Sequence, residues 1–151
     1  MIRDDIKAAL VTAMKSGDRA RTATIRLIQS SLKNREIEMR GGTAPDDDDV
    51  TVIEVLQKMI KQRRESVALY EQGGRQELAD AETAEIAVIE GFLPRQMSEE
   101  EAKAAIDSIV AETGASSLKD MGKVMAVLKE KHAGGLDMSR ASGLVKARLS
   151  A

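Results

Sequence analysis

The chain has no cysteine and no tryptophan, and only one tyrosine, one phenylalanine, two prolines and one histidine among 151 residues. Each shortage excludes something. Without cysteine there is neither a disulfide framework nor a thiolate metal site, which fits a reducing compartment. Tyr70 and Phe92 are the only rings, so the core must be built from Ile, Leu, Val, Met and Ala. Their scarcity also removes the commonest single-strand nucleic-acid mode, stacking of bases on aromatic side chains. No apolar run approaches the ~20 residues that a bilayer-spanning helix needs. The start is charged at once (Arg3, Asp4, Asp5), so neither a signal peptide nor a membrane span is expected, and the expected location is the cytoplasm. Neither Gly-rich phosphate-loop pattern occurs, and no serine has the glycine-flanked turn of a hydrolase nucleophile. The lone His132 sits among Lys129, Glu130 and Lys131, where a cation at a helix C-terminus is favourable for dipole reasons alone. No catalytic group, metal site or cofactor is expected.

What remains is rich in Ala, Glu, Lys, Arg, Gln and Met, side chains that lose little rotamer freedom in a helix. Charged residues make up 32% of the chain and nearly cancel, to a formal net charge of −2, so the whole molecule is not a basic clamp for nucleic acid. The charge is uneven, however. Lys15, Arg19, Arg21, Arg26, Lys33 and Arg35 are opposed over their span mainly by Asp18, and an acidic run, Asp46 to Asp49, follows.

Helical spacing organises the chain. A first helix carries Ile6, Leu10, Ala13 and Met14 and ends at Gly17. Asp18 caps a second, with Ile25, Ile28, Leu32 and Met39 on one face and Gly41-Gly42 as its stop. A loop with Pro45 leads to a third helix (Ile53, Leu56, Ile60, Val67, Tyr70), broken by Gly73-Gly74. A fourth carries Leu78, Ile86, Ile89 and Leu93 and stops at Pro94. Ser98 with Glu101 forms a capping box for a fifth helix, with Ala102, Ala105, Ile106, Ile109 and Val110 inside. Gly114 ends it. Ser117 caps a sixth (Met121, Val124, Met125, Leu128), Gly134-Gly135 end that one, and Asp137 caps the last (Ala141, Leu144, Val145, Leu149). The expected fold is all-α: an N-terminal four-helix half, 1–96, then a small C-terminal three-helix bundle, 97–151, with an exposed connector at Pro94–Met97.

Two groups of polar residues stand out. Arg63 falls on the apolar stripe of the third helix, where an unpaired guanidinium is costly. Either it bridges to Glu82 or Glu85 on the fourth helix, or it forms an anion site with Lys61 and Arg64. The second group is a set of cations placed to track a phosphate backbone: Arg19, Arg26 and Lys33 on the second helix, and Lys123, Arg140 and Lys146 in the C-terminal half. The ordinary reading of such charges is a solvated face. If they bind RNA, they recognise the shape and phosphates of a folded molecule.

The stretch Ile53 to Met97 also carries a resemblance. Lys61-Gln62-Arg63-Arg64-Glu65-Ser66, Tyr70, Gly73-Gly74-Arg75, Leu78, Glu82, Glu85, Ile86, Phe92-Leu93-Pro94 and Gln96 follow in order. Gly114-Ala115-Ser116-Ser117, Asp120-Met121-Gly122-Lys123-Val124-Met125 and Leu144-Val145-Lys146 come after. The pattern resembles the YqeY-type (GatB/YqeY) family, related to the tail domain of GatB in the tRNA-dependent aspartyl/glutamyl amidotransferase. The resemblance implies a tRNA-linked accessory or binding protein, weak tRNA binding, and an amidotransferase or aminoacyl-tRNA synthetase as partner. At family level it also implies carbon–nitrogen ligase activity with glutamine as amido-N-donor. No residues form a catalytic constellation, and stand-alone catalysis is not expected. The alternative is a non-enzymatic protein-interaction module that binds such an amidotransferase or synthetase.

Overall fold

The helix-forming composition is realised as seven α-helices and one short 3-10 turn, with no strand among the residues that the computed structural model describes, 1–40, 42 and 48–150. The chain divides into two compact units, Met1–Leu93 and Pro94–Ala151.

The first unit holds α1 (Ile2–Ser16), α2 (Arg19–Glu38), α3 (Asp48–Gln72) and α4 (Gln76–Glu90). Gly17 ends α1 in the left-handed region, at φ 73°, which suits a residue without Cβ. The Asp18 carboxylate then accepts the Arg21 backbone N–H at 3.0 Å and opens α2. Gly74, at φ 69°, separates α3 from α4 and lets the two lie along each other in the most extensive packing of this unit. Ile6, Ile25, Ile28, Leu56 and Ile89 are fully buried between the helices. Burial of such a side chain is worth about 1.5–3 kcal/mol.

The acidic start of α3 clamps the start of α1. The Ile2 N–H donates to Asp49 Oδ1 at 3.0 Å, Arg3 donates through Nε and Nη2 to Asp48 at 3.0 Å each, and Arg3 Nη1 reaches Glu36 at 2.8 Å. The same two aspartates meet the positive end of the α3 dipole. The Arg3 bond holds the Asp48 carboxyl below the usual carboxylate range.

The second unit holds α5 (Glu99–Thr113), the 3-10 turn Leu118–Asp120, α6 (Met121–His132) and α7 (Met138–Leu149) around Ile106, Ile109, Val124, Leu128 and Val145. The capping box at α5 is present in both directions: the Glu101 N–H donates to Ser98 Oγ at 3.1 Å, and the Ser98 N–H donates to Glu101 Oε1 at 3.3 Å. Arg95 adds a two-pronged bond to the same carboxylate, at 2.9 and 3.1 Å. Asp137 caps α7 by accepting the Ser139 N–H at 2.9 Å.

Several sequence expectations need correction. Pro94–Met97 is not an open connector throughout. The Met97 N–H donates to Gly135 O at 2.7 Å, the Gln96 amide donates to Gly134 O at 2.9 Å, and Met97 packs against the second core. These residues therefore belong to the second unit. Met14 points outward, 53% exposed, because the α1 stripe is carried by Ile2, Ile6 and Ala13. On α3 the stripe is wider than the expected spacing. Val52, Val55 and Met59 are buried along with Leu56 and Ile60, while Ile53 is only half-buried, since α3 has neighbours on more than one side. Leu136, in the turn between α6 and α7, is buried in the second core. Ser117 opens the 3-10 turn, not α6 itself: the Asp120 carboxylate accepts the Ser116 and Ser117 N–H groups at 2.9 and 3.3 Å. α2 ends at Glu38, before the expected glycine stop. Gly41, Pro45 and Asp46 lie outside the described residues.

Candidate nucleic-acid interface

α2 contains no acidic residue between Asp18 and Glu36. Its first turn is made of Arg19 and Arg21, cations at the positive end of the helix dipole. That placement costs helix stability. Arg19, Arg26 and Lys33 recur every seventh residue, a step that drifts only ~20° about the helix axis. All three are exposed, and the same face carries Ala23 and Ser30 and no carboxylate. Successive charges are about 10 Å apart along the axis. Among the described residues none of the three makes an ion pair or hydrogen bond through its side chain. Their neighbours differ. The Arg21 guanidinium lies 6.0 Å over the Phe92 ring, and Arg35 is within ion-pair range of Glu38 and Glu54.

The C-terminal candidates do not form a comparable row. Lys123 donates from Nζ to the Thr113 carbonyl at 3.0 Å, closing the C-terminal end of α5. Arg140 and Lys146 are exposed on α7 but six residues apart, about 120° around the helix. Arg148, which sequence inspection passed over, pairs with Asp107 at 2.7 Å.

Arg63 is used inside the first unit. Its Nε donates to Glu85 Oε2 at 2.9 Å, and Nη1 reaches the Met59 carbonyl at 3.3 Å. Arg64 pairs separately with Glu90 at 3.0 Å, a partner that sequence inspection missed. Glu85 and Glu90 lie along α4 opposite Arg63 and Arg64 on α3, so the two bridges stitch the helix pair together. Glu82, half-buried on α4, is not the carboxylate that meets Arg63. Lys61 is exposed on the same helix. An anion at this place must displace Glu85 from Arg63. Among the described residues no group of three His, Cys, Asp or Glu side chains is arranged to hold a metal ion, and no helix is long and apolar enough to cross a membrane.

These features define a two-unit, all-helical protein that presents an unpaired basic row on α2. Residues 3–149 match the model of the Yqey-like protein family, and the chain belongs to that family. Among curated proteins it is similar to "Altered inheritance of mitochondria protein 41, mitochondrial" of several yeasts. The Lachancea thermotolerans protein is 31% identical over 125 residues, 79% of this chain and 65% of that protein. The Kluyveromyces lactis protein is 33% identical over 87 residues, 58% of this chain and 45% of that protein. The chain thus spans about half to two thirds of the length of the curated relatives it matches.

Proposed function

We propose that this protein is a tRNA-linked accessory or binding module that meets folded RNA through the exposed face of α2. The observation that carries the reading is the acid-free row Arg19, Arg26, Lys33, whose side chains make no internal pair among the described residues. Three rigidly spaced cations supply phosphate affinity without base readout. Both rings are half-buried, so single strands find no stacking platform. An amidotransferase or an aminoacyl-tRNA synthetase is the partner that such a module serves, and catalysis belongs to that partner. The working compartment is one that holds tRNA and keeps thiols reduced: the cytoplasm or, following the names of the yeast relatives, the mitochondrion.

The test is titration with total tRNA at low and at physiological salt, comparing wild type with Arg26→Glu/Lys33→Glu. About three phosphate contacts predict a loss of roughly 20–40-fold in affinity between 50 and 200 mM salt. The double reversal should abolish binding at the lower salt. Absence of binding at low salt, or binding that the reversals leave untouched, would remove α2 as an RNA face. A second reading, a protein-interaction module, is favoured by the exposed apolar side chains Val11 and Met14 on α1 and Leu27 on α2. Co-purification with a synthetase or an amidotransferase that survives RNase treatment supports it.

A further inference from the structure

α2 and α3 face each other across a groove of about 370 Å³ whose walls are polar. One wall is Ser31, Asn34 and Arg35 of α2, one helical turn apart. The other is Glu54, Lys58 and Gln62 of α3, at steps of four. Buried Val55 and Met59 form the floor.

Polar residues on facing helices ordinarily pair with each other, and elsewhere in this unit they do so tightly, as at Arg63–Glu85. Here they do not. The side chains of Ser31, Asn34, Lys58 and Gln62 make no hydrogen bond or ion pair among the described residues. The one bridge across the groove is loose: Arg35 lies 3.6 Å from Glu54 and 3.8 Å from Glu38, beyond hydrogen-bond length to either. The half-exposed guanidinium is held by these two long ion pairs and by no shorter bond among the described residues.

The charges lining the groove cancel, Arg35 and Lys58 against Glu38 and Glu54. A polyanion therefore gains nothing here, and this site is separate in kind from the α2 row. Asn34 and Gln62 each offer an amide N–H and an amide C=O, the complement of another amide. From Ser31 to Glu38 the wall is about 10 Å long, which matches about three residues of extended chain at 3.3 Å each. We infer that the α2–α3 groove binds an extended, uncharged peptide segment of a partner protein, with Asn34 and Gln62 pairing its main-chain amides and Val55 and Met59 taking one small apolar side chain. Arg35 and Lys58 donate to peptide carbonyls, and Glu54 accepts a peptide N–H. The inference is independent of RNA binding by α2.

The experiment is selection of a displayed library of random octapeptides on the full-length protein, followed by titration of the enriched peptides as synthetic, end-blocked molecules. The expected sequences are uncharged with an alternating small apolar residue. Asn34→Ala and Gln62→Ala should each weaken them by about tenfold and leave the melting curve and low-salt tRNA binding unchanged, since both side chains are exposed. In a ¹⁵N-labelled sample the Asn34 and Gln62 side-chain amide signals should move on peptide addition. Failure to enrich any peptide overturns the inference. So do peptides that bind both variants as tightly as wild type, and acidic peptides lost in Arg26→Glu, which would mark the α2 face instead.

Discussion

Arg63 Nε and Glu85 Oε2 lie 2.9 Å apart between α3 and α4, with the arginine side chain only 15% exposed and the glutamate 31%. The pair joins the two helices that pack most extensively in the first unit. A cation at that depth needs its carboxylate more than the fold needs the cation. Glu85→Ala should therefore cost about 1–2 kcal/mol, below the 3–5 kcal/mol typical of a fully buried pair. Arg63→Met, which removes the charge and keeps the volume, should cost less, and Glu82→Ala should be near neutral. Thermal melts of the three variants and of Arg63→Met/Glu85→Ala check this. Equal losses for Glu82→Ala and Glu85→Ala would contradict the assignment.

The Arg3–Asp48 clamp predicts an acid response. The hydrogen bond from Arg3 holds the folded-state Asp48 carboxyl below its ordinary value. Its contribution to stability is therefore complete above the unfolded value of about 3.9 and is lost as pH falls through the lower folded value. The stability of wild type should approach that of Asp48→Asn on acidification below about pH 4 and exceed it at neutral pH. The neutral-pH gap should narrow at high salt, since the pair is partly exposed. Parallel stability curves for the two proteins down to pH 2 would show that the clamp does not stabilise the fold.

The second unit depends on its caps. Ser98→Ala removes the acceptor for the Glu101 N–H and should cost about 1 kcal/mol. Gly114→Ala places a Cβ at φ 67° and should cost about 1 kcal/mol as well. Hydrogen exchange of α5 amides should accelerate in both variants while α3 and α4 amides stay protected. Acceleration in α3 and α4 alone would refute the placement of these caps.

Lys123 makes a separate case. Its Nζ closes α5 at the Thr113 carbonyl, so Lys123→Met should lower stability by about 0.5–1 kcal/mol. Low-salt tRNA binding should be little changed. Arg140→Glu and Lys146→Glu, at exposed positions that do not share a face with each other, should also leave it within about threefold, the effect of one surface charge at low salt. Loss of binding in these variants with binding retained in Arg26→Glu/Lys33→Glu would transfer the RNA contact to the C-terminal unit.

Much of the architecture was legible because it is local. Gly17, Asp18, Gly74, Ser98, Glu101, Gly114 and Asp137 act within a few residues of themselves, through φ preferences and side-chain bonds to nearby N–H groups, so the order of residues alone sets where helices start and stop. Family membership was legible for the same reason, as an ordered set of residue types. The row Arg19, Arg26, Lys33 was legible as a heptad step. Its standing as an uninterrupted, unpaired face was not, because that depends on which carboxylates the other helices bring near. Sequence spacing left Glu82 and Glu85 equivalent as partners for Arg63. They lie three residues apart on one helix, and only the register of α4 against α3 selects Glu85. Lys123 carried the same charge as Arg140, but the approach of α6 to the end of α5 turned it into a cap. The burial of Leu136 and Val55, the outward turn of Met14 and the polar groove between α2 and α3 likewise come from packing. A helix's own sequence states which faces are able to be buried, and the positions of its neighbours decide which of them are.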